Sequence, residues 1–199
     1  YAIRNSDVLL QIEEIQNELD NFFLPLEPTI YGCRLLDSRL EGDEIRRCER
    51  DLNVTFPKSF RSLLLSYSFD NLDIGPIAFL TGGDYLSGLT SSNVPGNPLW
   101  GDLWWVDGDR PHDIIMIASS DPYSILLNCV SGSVSAFVSD DGWEERCVVA
   151  MDFERFFCGL GTLVVKRLGK DISDEMALDV AVEVGSSKAG EVFWRWVAA

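Results

Sequence analysis

The chain has 199 residues, 46% of them hydrophobic, and carries 32 acidic against 16 basic side chains, a formal net charge of −16. Length and composition together describe one globular domain with a substantial core. No run approaches the roughly 18 apolar residues that a membrane-spanning helix needs, and the acid surplus disfavours direct nucleic-acid binding, which neutralises phosphates with Lys and Arg.

In chain order, residues 6–23 predict an amphipathic helix. Val8, Ile12, Ile15, Leu19 and Phe22 alternate steps of four and three, Ser6 can cap the start, Asp7 complements the dipole, and Pro25 and Pro28 end the element. Residues 27–40 read as a linker tacked to the core by Tyr31, Leu35 and Leu36. Residues 43–67 then form a corner. Ile45, Cys48 and Leu52 make one helical stripe, the chain breaks at 54–56, and Phe60, Leu63, Leu64 and Tyr67 make a second stripe behind Pro57, which suits the first position of a helix.

After Tyr67 the pattern changes to short strands. Residues 74–80 predict a first strand, with Pro76 placing it at an edge or bulge. The stretch 81–111 is rich in Gly, Ser, Asn, Pro and Asp, with a short helix expected at 85–89 and a brief strand at 104–106. Residues 114–118 and 123–129 have the strongest β pattern, and Ser131-Gly132 turns the chain into 133–138 as a hairpin. Asp140-Asp141-Gly142 turns it again into a last strand at 146–151. Asp152 caps a helix carrying Phe153, Phe156, Phe157 and Leu160, which Gly159 and Gly161 are expected to interrupt or end. Ser173 opens another helix with Ala177, Val180, Ala181 and Val184 on one side, and Phe193, Trp194 and Trp196 anchor the end. There is no internal repeat, so residues 1–199 read as one domain.

The charge is unevenly spread. Between Ser68 and Glu145 there are twelve acids and a single base, Arg110, so this segment holds most of the negative excess. A solvated surface explains such a segment; so does a negative field aimed at a basic partner. Trp100, Trp104, Trp105 and Trp143 lie in or beside these acidic turns, either as a roof over the sheet or as aromatic anchors ringed by polar residues. The candidate partner-binding residues are therefore Asp84, Trp100, Asp102, Trp104, Trp105, Asp107, Asp109, Asp140, Asp141, Trp143, Glu144 and Glu145.

Catalytic signatures are lacking. There is no nucleophile elbow, Walker loop or dinucleotide glycine loop, and any triad must pass through His112, the one histidine. The run Asp107, Asp109, His112, Asp113 has metal-ligand types, but its spacing fits no EF-hand loop and no metal or cofactor is expected. The five cysteines, Cys33, Cys48, Cys129, Cys147 and Cys158, are odd in number and scattered. They read as small buried hydrophobes in a reducing compartment. Nothing at the amino end resembles a secretion signal, while an opening Tyr1 in place of Met is compatible with a removed leader or an upstream segment.

The order of elements resembles the SUKH superfamily of Smi/Knr-like domains. The family's E-x-x-L helix, hydrophobic-Pro pair, aromatic and Leu-rich helix are similar to Glu49, Leu52, Phe56-Pro57, Phe60 and residues 63–65; its hairpin and Phe-x-x-Phe helix are similar to 114–138 and Phe153 to Phe156. The likeness covers about 6–160 and leaves 161–199 as a helical extension. It departs at Ser68-Phe69-Asp70, where the family has Asn-Gly-Gly, and at Ser120-Asp121, where it has Gly-Asp. The resemblance implies an α+β fold, a bent antiparallel sheet of five to six strands with helices against it. It also implies a non-enzymatic, cytoplasmic immunity protein that occludes the active site of a cognate bacterial toxin domain. The basic surface expected of that toxin follows from the acidic segment. The alternative role is a regulatory scaffold of Smi/Knr type.

Overall fold

The computed structural model describes residues 8–80, 83–95, 103–105 and 108–199. It is an α+β fold in which an antiparallel six-stranded sheet, with strands in sequence order, packs against amino-terminal and carboxyl-terminal helices.

Helix α1 is Ile12–Phe23, shorter than expected. Its start is fixed by Glu14, whose carboxylate accepts from the Gln11 N–H at 2.8 Å; the expected cap at Ser6 lies outside the described residues. In the linker only Leu35 is buried, whereas Tyr31 and Leu36 are exposed and tack nothing down. Helices α2 (Gly42–Leu52) and α3 (Lys58–Ser66) form the expected corner, with Pro57 one residue earlier than predicted, at the cap. Its hinge has a chemical cause. Glu49, 8% exposed, accepts from the Phe56 N–H at 2.8 Å with one oxygen and from Arg61 Nη1 at 2.8 Å with the other. A buried carboxylate is tolerated only with such partners.

The predicted strand at 74–80 is instead a small hairpin, β1 (Asp73–Ile74) and β2 (Ile77–Ala78). Gly75 at φ +59° makes the turn, and a Cβ there would meet Val164 at 2.6 Å, so the turn is pressed onto the helix that carries Val164. Helix α4 is Tyr85–Asn93; of the strand expected at 104–106, Trp104 and Trp105 form a bend and Val106 lies outside the described residues. Strands β3 (Ile114–Ser119), β4 (Tyr123–Asn128), β5 (Val134–Val138) and β6 (Cys147–Ala150) complete the meander. The β3–β4 register slips between Met116 and Ala118, leaving Ile117 as an extra residue whose carbonyl accepts from Tyr85 Oη at 2.9 Å.

Helix α5 (Phe153–Arg167) starts at the Asp152 cap and runs unbroken through Gly159 and Gly161. Both glycines are there for contact. A Cβ at 161 would lie 2.6 Å from Ile15 Cδ1, and one at 159 would lie 2.8 Å from Val184 and 2.9 Å from Trp194. Helices α6 (Asp174–Glu183) and α7 (Glu191–Ala198) belong to the same core, with Trp194 fully buried and its indole N–H on the Val149 carbonyl at 2.8 Å. The inner sheet face (Ile115, Ile117, Ile125, Leu127, Val134 and Ala136) meets these helices and an aromatic nucleus in which Phe60 and Phe153 sit edge to face at 4.7 Å. Among the described residues no helix is long and apolar enough to cross a membrane.

Candidate functional site

Strand alternation sends a second set of side chains to the opposite face: Ile114 and Met116 on β3, Ser124 and Leu126 on β4, Ser135 and Phe137 on β5. Among the described residues no helix covers this face. Trp104 and Trp105 do, packed with Ile114, Leu126 and Phe137 in a separate apolar cluster. At 9% and 2% exposure they present little surface to a partner and roof the sheet, one of the two readings that the sequence leaves open. The reason is elementary: Leu126 and Phe137 would otherwise face water. Trp143 is different. It lies half-buried at the edge of the cluster, 6.1 Å from the Trp104 ring, with Arg146 over its face at 4.7 Å.

Trp104 is held by a residue that sequence reasoning missed. Asn93, the last residue of α4 and 2% exposed, accepts from Trp104 Nε1 at 3.0 Å and from the Met116 N–H at 2.7 Å; its amide donates to the Met116 and Leu89 carbonyls, each at 2.8 Å. Strand β2 pairs with β3 only at Ser119, so Asn93 supplies Met116 with the partners a neighbouring strand would have given.

The predicted acids fall in three places. Asp140, Asp141, Glu144 and Glu145 are exposed on the β5–β6 connection, which carries Trp143. They are joined by Asp121, which is not among the residues expected from the sequence. The β3–β4 and β5–β6 turns emerge at the same end of the sheet, linked by the Ser139 N–H donating to the Pro122 carbonyl at 3.1 Å and by the Ser124 and Ser139 hydroxyls at 3.1 Å. Asp109, also exposed, belongs to the opposite end of β3, roughly 17 Å away along a six-residue strand. Asp84 is spent on structure: its carboxylate caps α4 by accepting from Ser87 N–H at 2.9 Å, at the far end of the helix from Asn93. Trp100, Asp102 and Asp107 lie outside the described residues.

Arg110, the single base of the acidic segment, faces inward. Its guanidinium donates to the carbonyls of Ile114 and Leu52, and burial lowers its pKa from the usual value. Its charge is used on backbone at the end of α2. Arg146, just beyond the segment, is the cation that does reach Trp143.

The chemistry of the thiols runs against activation. Burial pushes Cys48 up to about 11 and Cys129 and Cys158 up to about 12, opposite to what a thiolate nucleophile needs. All five cysteines are free. His112 is exposed and hydrogen-bonded to Asp113 through Nδ1. Among the described residues no three His, Cys, Asp or Glu side chains are grouped to hold a metal ion. In comparisons with known proteins, no family model, no curated protein and no solved structure matches the chain.

Proposed function

We propose that the protein is an immunity-type inhibitor, a non-enzymatic binding protein that neutralises a cognate toxin domain by covering its active-site cleft. The observation that carries this reading is the exposed acidic end of the sheet, where Asp140, Asp141, Glu144 and Glu145 share the β5–β6 connection with the half-buried Trp143 and Asp121 leaves the same end on the neighbouring turn, with Arg146 as the one base of that connection. Complementary charge of this kind speeds encounter with a basic surface and rejects acidic partners. A partly exposed tryptophan beside it supplies the apolar contact that interfaces favour. The corner on which the resemblance to SUKH domains rests is a packed hinge, with Glu49, Phe56 and Phe60 buried and the Glu49 carboxylate accepting from the Phe56 N–H.

In this reading the partner is a protein with a cationic cleft, in the cytoplasm of the producing cell, and not a nucleic acid or a membrane. The test is co-expression with the toxin domain encoded beside the chain's own gene. Protection of growth together with a 1:1 complex that weakens with salt supports the proposal. A toxin that stays active in the presence of the folded protein, or a complex indifferent to salt, refutes it.

A further inference from the structure

Away from the tryptophan cluster, α1, β1 and the end of α5 enclose a recess of about 470 Å³. Its walls are largely apolar: Leu19 and Phe23 from α1, Ile74 from β1, Val164 from α5 and Leu168 just past its end. Such a volume suits a small ligand. Asp73 also lines it, held in place by its N–H on the Gly32 carbonyl at 2.7 Å and by the Gly75 turn pressed against Val164.

The Asp73 carboxylate has no internal partner for one of its oxygens. Oδ1 is buried without a hydrogen bond, and Arg167, the base that lines the same recess, does not bond to it. Cys33, the other titratable group in the lining, forms no hydrogen bond with it either. Desolvation accordingly raises the Asp73 pKa. Asp73 is half-buried, and a carboxylate set without an ion-pair partner in a largely apolar recess is a group that a ligand can complete.

We propose that this recess binds a small hydrophobic ammonium compound, its apolar body against Leu19, Phe23, Ile74, Val164 and Leu168 and its protonated amine on the Asp73 carboxylate. The net charge of −16 favours the approach of a cation from any direction. None of the recess residues belongs to the acidic end of the sheet, so this site stands or falls independently of toxin binding.

The full chain is titrated with 2-phenylethylamine, with the neutral isostere 2-phenylethanol and with the anion 3-phenylpropionate, by calorimetry and amide chemical shifts. The amine is expected to bind at least about tenfold tighter than the alcohol, as a charge-assisted hydrogen bond provides, and the anion weakest. Asp73→Asn should bring the amine down to the level of the alcohol, and Arg167→Gln should leave the preference intact. Shifts should gather on α1, β1 and α5. Amine and alcohol binding within about threefold of each other, or no amine binding at about 10 mM, overturns the proposal on the native protein alone. A folded Asp73→Asn variant that keeps the amine preference overturns it too.

Discussion

Replacing Asn93 by leucine keeps the volume of the side chain and removes four hydrogen bonds at once. The Met116 N–H and carbonyl and the Trp104 indole N–H are left without the partners that Asn93 gives them at 2.7, 2.8 and 3.0 Å. Each buried group left unmade costs about 1–3 kcal/mol, and Met116 is only half-buried, so water recovers part of the loss. The expected destabilisation is about 3 kcal/mol, a drop in Tm of roughly 6–12 °C for a chain of this size. Urea unfolding followed by tryptophan fluorescence measures it, and the native emission should shift to the red as Trp104 loosens. Asn93→Asp is the sharper control. It keeps an acceptor for Met116 N–H and Trp104 but sets a carboxylate against two carbonyls, so its pKa rises in the fold. Its stability should therefore recover as pH falls and the acid regains a donor. An Asn93→Leu protein within about 0.5 kcal/mol of the native one refutes the idea that this side chain completes the edge of β3.

Gly161→Ala should cost about 1–3 kcal/mol by driving a methyl into Ile15, and Ile15→Ala in the same chain should recover part of that, a coupling that separates close packing from helix propensity. At the corner, Glu49→Ala should destabilise by about 2–4 kcal/mol because the Phe56 N–H loses its acceptor, whereas Glu49→Gln, which keeps an acceptor there, should lose about half as much; equal losses would assign the effect to charge alone. Asp73 has a raised folded-state pKa, so its contribution to stability is present below the unfolded carboxylate value and lost as pH rises through the folded one. Asp73→Asn should consequently melt higher than the native protein at pH 7, with the gap closing toward pH 4; a gap that does not change with pH contradicts this.

The parts of the fold legible in the sequence are those with a local cause. Ile45, Cys48 and Leu52 share a helical face whatever lies beyond it, and all three are buried. The alternation across 123–129 likewise sends Ile125 and Leu127 inward with Leu126 opposite. Asp152 and Ser173 cap helices as their positions foretold. Where the cause lies elsewhere in the chain, the reading failed. Gly159 and Gly161 look like breaks, but they are sites where Trp194, Val184 and Ile15 approach α5. For Trp104 and Trp105 the sequence leaves roof and anchor both open, because no periodicity reveals the face they cover. Asn93 is one side chain acting as a strand, which no pattern announces. Asp121 joins Asp140 because the two hairpin turns leave the same end of the meander, a fact of topology that a count of acids along the chain does not contain.

The central claim is that the acidic end of the sheet receives a basic protein partner. The most direct measurement is the affinity and association rate for the co-expressed toxin domain of the native protein and of Asp121→Lys/Asp140→Lys/Glu144→Lys, at low and high salt. These three side chains are exposed, so the variant should fold as the native protein does. Association slowed about tenfold or more, with a shallower salt dependence and weakened protection, is the predicted result. Affinity held within about threefold, a difference below roughly 0.7 kcal/mol, would contradict it.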